Sequence, residues 1–129
     1  MDKKELKNKL SPMAFRVTQE HGTEPAFTGV YVDNHDEGTY RCVVCGQKLF
    51  ESDTKFDSGT GWPSFDKAIP GSTVMNSDDR YGMNRVEVSC SKCGAHLGHM
   101  FDDGPSKTTG ERFCINSCAL DLKKKEAKQ

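Results

Sequence analysis

Four of the six cysteines in this 129-residue chain stand in two units of the same form. These are Cys42-Val43-Val44-Cys45-Gly46 and Cys90-Ser91-Lys92-Cys93-Gly94. Each Cys-x-x-Cys turn offers two thiolates, and the glycine after it allows the tight backbone that brings them together. Two such turns make a tetrahedral, closed site for one structural Zn²⁺, with Cys42, Cys45, Cys90 and Cys93 as ligands and no open position for a substrate. The gap between the pairs is longer than in a minimal zinc ribbon, so the ion is expected to clamp two distant hairpins of a larger β-domain. The competing reading, a redox dithiol, belongs beside a βαβ pattern that is not visible here.

The other two cysteines lie in Arg112-Phe113-Cys114-Ile115-Asn116-Ser117-Cys118. In an extended chain Arg112, Cys114 and Asn116 point one way, while Phe113 and Ile115 point into a core. A thiol between a cation and an amide is expected to favour its thiolate, which makes Cys114 the leading candidate for chemistry. Two histidines follow the second cysteine pair, in Gly94-Ala95-His96-Leu97-Gly98-His99. On a regular strand residues three apart face opposite sides, but a bulge near Gly98 turns both imidazoles to one face, where they can protonate an oxygen near neutral pH. The only tryptophan, Trp62, sits in the glycine-rich loop Ser58-Gly59-Thr60-Gly61-Trp62-Pro63, read as irregular and exposed. Singly, each residue has a plainer reading: a buried cysteine is often an inert small hydrophobe and a tryptophan is often core. Together they point to one active site.

The elements that must position these groups are mainly strands. Short β-type segments separated by turn residues are read at 39–42, 48–51, 74–76, 85–89, 97–101 and 112–116, an all-β pattern. Before them, residues 2–10 form a short helix that lays Leu6 and Leu10 on the body. Ser11 caps a second helix that opens with Pro12, presents Met13 and Val17, and ends near Gly22. Residues 22–34 read as an extended strap across the surface. We expect one domain over residues 1–129, with a helical segment at 1–22, a zinc-clamped β core at 39–122 and a frayed charged tail at 123–129.

Composition narrows the partners. A net charge of -1 offers no global attraction to nucleic acid or to an anionic membrane. No apolar run reaches the length of a membrane span, and the first residues lack the apolar core of a signal peptide, so a cytoplasmic monomer is expected. In a reducing compartment paired cysteines bind metal or do redox work more often than they form structural disulfides.

With these residues in hand, the chain resembles methionine sulfoxide reductase B, the class acting on the R epimer of methionine sulfoxide. The resemblance runs from about Leu10 to Leu122. It is carried by Val17-Thr18-Gln19-Glu20 with Gly22-Thr23-Glu24, Phe27-Thr28-Gly29, Ser58-Gly59-Thr60-Gly61-Trp62-Pro63-Ser64-Phe65, Gly94-Ala95-His96-Leu97-Gly98-His99, Asp103-Gly104-Pro105 and Arg112-Phe113-Cys114-Ile115-Asn116-Ser117. It implies two antiparallel sheets forming an open β-barrel, zinc on the four paired cysteines, and Cys114 as nucleophile. It also implies His96, His99 and Asn116 as polar site residues, Trp62 as the aromatic that receives the sulfoxide methyl, and Arg112 and Asp103 as support. The implied cycle leaves a sulfenic acid on Cys114, which a thioredoxin-like or other thiol reductant must clear, and it repairs oxidised proteins.

One departure stands out. Many family members carry a resolving cysteine in the loop before the tryptophan, where this chain has Thr60. Cys118 is the remaining candidate, but four residues of straight strand span about 13 Å, against roughly 4.4 to 6.8 Å for a disulfide. It resolves only if the chain turns after Asn116; otherwise an outside thiol acts directly, or Cys118 merely packs. Two readings from other classes stay open: a non-enzymatic zinc module that binds protein or nucleic acid, and a cysteine hydrolase built on Cys114 and His99.

Overall fold

The computed structural model describes residues 3–78, 85–105 and 109–124. Two helices open the chain, α1 (Lys3–Lys9) and α2 (Pro12–Glu20). Ser11 caps α2 by accepting from the Ala14 amide; Leu6, Leu10 and Val17 are buried, as their spacing predicts, while Ala14 is buried beside Val17 and the expected Met13 is only half-buried. The helix stops one residue before Gly22: His21 adopts the left-handed conformation at φ 56°, and the Gly22 amide closes the end on the Arg16 carbonyl. The strap from 22 to 34 is a chain of turns rather than an extended run, because Thr28 bonds back to the Pro25 carbonyl and Asn34 to that of Tyr31.

Nine strands follow among the described residues: β1 (Gly38–Cys42), β2 (Lys48–Glu51), β3 (Lys55–Phe56), β4 (Ser64–Phe65), β5 (Thr73–Asp78), β6 (Arg85–Cys90), β7 (His96–Phe101), β8 (Arg112–Ile115) and β9 (Leu120–Lys124). They form two antiparallel sheets, ordered β2-β1-β9 and β3-β4-β8-β7-β6-β5. No described strand pairs from one sheet to the other, so the sheets face each other without closing into a barrel. Between them an aromatic layer fills the core. Phe50 of the small sheet stacks on Phe65 of the large one at 4.4 Å, and Tyr40 meets the same ring edge-on. These rings bury apolar area that a lean composition otherwise lacks.

Three strands escaped the sequence reading. β3 and β4 are only two residues long, below the length at which alternation is visible, and β9 hides in Leu120-Asp121-Leu122 beside the lysines. The assignment of Lys123 and Lys124 to a frayed tail is corrected: they pair with Thr39 and Gly38. The rest of the expected tail, 125–129, lies outside the described residues.

Candidate active site and metal centre

β8 lies between β4 and β7, and this placement assembles the site. Cys114 pairs with Ser64 on one side and His99 on the other. Ser64 ends the glycine-rich loop, so the same pairing that fixes β4 carries Thr60 and Trp62 to the thiol. The loop is not exposed as a whole: Gly61 and Pro63 are buried and Trp62 half-buried. Alternation on β8 holds, with Phe113 and Ile115 buried and Cys114 partly open. β7 approaches so closely that a side chain at position 98 would meet the Cys114 carbonyl at 2.1 Å, which requires Gly98. The expected bulge is present one residue earlier: Val88 opposes Gly98 while Ser89 opposes His96, leaving Leu97 as the extra residue. It brings the two imidazoles together, 5.4 Å apart and edge to face.

Thr23, Trp62, Arg85, Gly98, His99, Phe101, Cys114 and Asn116 enclose a cleft of about 90 Å³. His99 Nε2 lies 2.7 Å from Asp78 Oδ2. An ionised Asp78 accepts that proton, leaving Nδ1 as the nitrogen that can hold or take a proton. Burial lowers the His99 pKa, and the Asp78 bond offsets part of the effect. His96 does not line the cleft. It is 1% exposed, and burial takes its pKa down to about 4. Its Nδ1 lies 2.8 Å from Glu87 Oε2, close enough for charge attraction but off the angle of a hydrogen bond. His21 Nδ1 reaches the same oxygen at 2.5 Å. Burial alone would raise the Glu87 pKa, but the His21 bond and the two rings hold it below the ordinary value.

The expectation of a thiolate on Cys114 is corrected by burial. Desolvation raises the thiol above its ordinary value, although Arg112 and a hydrogen bond with Thr60 pull the other way. Arg112 is held for this position by Asp103, through Nε to Oδ1 at 2.9 Å and Nη2 to Oδ2 at 3.3 Å, and its guanidinium lies 4.5 Å from the Phe101 ring centroid. Asn116 is committed to backbone. Its Oδ1 accepts from the Glu24 amide and its Nδ2 donates to the Leu97 carbonyl, each at 2.9 Å. Trp62 Nε1 donates to the Glu24 carbonyl at 2.9 Å. One residue of the strap, Glu24, therefore ties the tryptophan to Asn116 just past the end of β8.

The chain does turn after Asn116, into a 3₁₀ turn at Ser117–Ala119. Cys118 there does not line the cleft; its amide donates to Glu24 Oε1. Burial first, then the Glu24 carboxylate, push its thiol up to about 12.

At the far end of the sheets, the Sγ atoms of Cys42, Cys45, Cys90 and Cys93 all lie within 4.8 Å of one another. A tetrahedron with Zn–S bonds of ~2.3 Å has S···S edges of about 3.8 Å, so the four sulfurs fit zinc. Gly46 and Gly94 close the two knuckles alike, at φ 80° and 79°, each donating to the carbonyl of the first cysteine. Burial raises the thiols of Cys42 and Cys93, the latter to about 11, so a cation is what allows four thiolates to coexist. Cys42 ends β1 and Cys90 ends β6; zinc held here would link the two sheets. Gln47 of the first knuckle braces the second, its Nε2 donating to the Ser72 carbonyl and to Ser91 Oγ at 2.9 Å each, with Cys90 Sγ 3.5 Å away.

Comparison with known proteins agrees with this layout. Residues 10–124 match the SelR domain model. Methionine-R-sulfoxide reductase B3, mitochondrial, of Mus musculus is 57% identical over 119 residues, covering 92% of this chain. Peptide methionine sulfoxide reductase MsrB of Burkholderia mallei (strain SAVP1) is 55% identical over 125 residues, 96% of this chain and 87% of that protein. The chain belongs to the methionine sulfoxide reductase B family. It spans about half of the mouse protein, 47%. Among solved structures, the "Yippee-like" domain of Mis18 superposes with a TM-score of 0.54 at 15% identity, over 70% of this chain and 99% of that one, which shows a shared fold alone.

Within this reductase family frame, sequence reasoning missed Glu24, Asp78, Glu87 and His21 as neighbours of the site. Glu24 was visible only as part of the Gly22-Thr23-Glu24 motif, because its partners Asn116 and Cys118 are 92 and 94 residues away. A carboxylate directly before a proline carries no local signal of that kind.

Proposed function

We propose that this chain reduces methionine-R-sulfoxide to methionine, with Cys114 as nucleophile and His99 as the group that moves the proton. The observation that carries the reading is the direct cross-strand pairing of Cys114 with His99 in a cleft that also holds Trp62. Burial raises the thiol and lowers the imidazole, so both rest neutral, and the proton passes only when the sulfoxide arrives. The Cys114 sulfur attacks the sulfoxide sulfur, and the thiol proton travels through His99 Nδ1 to the sulfoxide oxygen. Oxygen then moves to Cys114, giving a sulfenic acid and releasing methionine; no further atom or electron is needed for this half. Trp62 takes the sulfoxide methyl against its ring, Arg112 favours negative charge on sulfur, and Asp103 aims Arg112. Asn116 acts by holding Glu24 and Leu97 in place, and His96, buried behind His99, acts as a positioning residue.

The second half belongs to an outside thiol. A Cys118 thiol near pKa 12 is ionised to only about 1 part in 10⁵ at pH 7. Two reductant thiols therefore clear the sulfenic acid as water and leave as their own disulfide, the task of a thioredoxin-like protein or a small thiol. Zinc on Cys42, Cys45, Cys90 and Cys93 supplies structure only. Protein-bound methionine sulfoxide is the main substrate and the free amino acid a second one, and the role is protein repair in the cytoplasm, a reducing setting that suits two thiols and four metal-ligating cysteines.

The test is turnover of each separate sulfoxide epimer with dithiothreitol, followed by mass analysis after one turnover without reductant. The expected result is reduction of the R epimer alone, loss of it in Cys114→Ser, and a trapped sulfenic acid on Cys114. Equal use of the S epimer, or activity in Cys114→Ser, would overturn the reaction. A disulfide between Cys114 and Cys118 would overturn the outside-thiol half.

A further inference from the structure

Behind His99, three further side chains that can ligate a metal converge on one point. His21 Nδ1 and His96 Nδ1 lie 2.5 Å and 2.8 Å from the same oxygen, Glu87 Oε2. The three ligand atoms all lie within 4.8 Å of one another, and none of the four paired cysteines belongs to the set. They come from distant parts of the chain: His21 closes α2, Glu87 lies on β6 and His96 on β7. The reaction proposed above moves no proton through any of them.

Hydrogen bonding leaves this cluster incomplete. His21 meets the angle of a hydrogen bond to Glu87, but the His96 ring does not, and neither of its nitrogens has a hydrogen-bond partner although the residue is 1% exposed. A buried polar atom left that way costs free energy that some partner must return. Burial also lowers the His96 pKa to about 4, so near neutral pH the ring carries a lone pair rather than a charge. A lone pair is what a metal ion takes. Two imidazoles and one carboxylate make a three-ligand set for a divalent first-row transition cation, with a fourth position left to water. Ions that prefer thiolates alone, or oxygens alone, fit it poorly.

Metal–nitrogen and metal–oxygen bonds of ~2.0–2.2 Å give a tetrahedron edges of about 3.4 Å. Against the 2.5 Å and 2.8 Å found here, each nitrogen must part from the oxygen by less than about 1 Å. The His21 side chain, 44% exposed at the end of its helix, has the freedom to yield. An open cavity whose lining includes His21, Thr23, Asp78, Arg85 and His99 gives access on that side. The cation on its wall, Arg85, lies 3.6 Å from Asp78 Oδ2, whose charge offsets it. We propose that His21, Glu87 and His96 form a second metal site, for one divalent cation of the Zn²⁺ or Co²⁺ type, separate from the four-cysteine centre. An ion there supplies the partner that His96 lacks and fixes its ring, which lies 5.4 Å from the His99 ring.

The probe is Co²⁺, added to the full chain after zinc has filled the four-cysteine centre, with bound metal counted by elemental analysis and affinity read by titration calorimetry. Cobalt on thiolates gives an intense sulfur-to-metal charge-transfer band, whereas cobalt on imidazole and carboxylate gives weak visible bands only. One Co²⁺ per chain is expected beyond the zinc, without the charge-transfer band, in the wild type and equally in Cys114→Ser. His21→Gly suits the left-handed backbone at φ 56° and removes one ligand, while Glu87→Gln removes the carboxylate charge and keeps its shape. Each is expected to weaken cobalt binding at least roughly tenfold, since even outer-shell partners cost that much, with the circular dichroism and zinc content of the wild type. Loss of the fold in one variant leaves the other to decide. Failure of a second ion to bind, a charge-transfer band that grows with cobalt, or unchanged affinity in either folded variant would overturn the site. So would loss of the extra ion in Cys114→Ser, which would move it to the cleft. None of these measurements involves turnover, so the site stands or falls apart from the reaction.

Discussion

The four-cysteine knuckles and the cleft are both built from cysteines that the sheets bring into place, yet they solve opposite problems. At the knuckles four sulfurs crowd within 4.8 Å, and only a shared cation makes that arrangement favourable. At the cleft a single sulfur, Cys114, faces one imidazole and a guanidinium, and its proton has somewhere to go. Burial raises thiols in both places. What differs is the partner: a metal that would lock the charge in place, or a histidine that in the proposed reaction lets it come and go. Stability and reactivity thus come from the same side chain through the count and type of its neighbours.

The comparison breaks first at the metal. Cys42→Ser, or a strong chelator, should unfold the chain, since structural zinc sites contribute on the order of 10 kcal/mol of folding free energy. Loss of far-UV and near-UV circular dichroism together would show it; a folded, metal-free chain would remove zinc from its structural role. A smaller effect separates the two histidines. His99→Asn should slow single-turnover reduction by about 100- to 10,000-fold, the usual contribution of a general acid, while His96→Asn stays within about tenfold. Equal losses would return both rings to proton transfer.

Acid titration tests the burial of His96. Its folded pKa is about 4, below the unfolded value, so its contribution to stability is complete above about pH 6.5 and is lost as the pH falls to 4. The loss is about 3 kcal/mol, and urea midpoints at pH 7 and pH 4 should converge partly in His96→Asn. A variant with the full wild-type pH dependence would place the titration elsewhere. The least effect is expected from Arg112→Met. Thiolate tuning raises the ionised fraction but lowers its nucleophilicity, so only a few-fold loss of rate should remain. A loss as large as that of His99→Asn would mean that thiolate formation, not proton delivery, limits the reaction.

The chain's local chemistry was legible wherever the signal sits within a few residues. Ser11-Pro12 marks a helix start, the alternation of Val86-Glu87-Val88 marks β6, and Cys-x-x-Cys-Gly marks a knuckle, because each is a short-range steric or ligand-geometry rule. The bulge beside Gly98 was legible too, since two functional rings three apart demand one. Long-range pairing was not. β3 and β4 exist because β8 offers them a partner, and Thr60 reaches Cys114 only through that pairing.

By itself, then, the sequence determined the four cysteines that gather where a metal ion fits, the alternating faces of β8, and the inventory of groups that could act. Tertiary structure alone decided their division of labour. It set His99 against Cys114 and buried His96, it fastened Asn116 to Glu24 across 92 residues, and it raised a thiol that its neighbours in sequence would have lowered. Desolvation is the physical reason. A flanking arginine is visible in the chain, but the free energy of removing water from a thiol depends on what packs over it, and only the assembled sheets specify that.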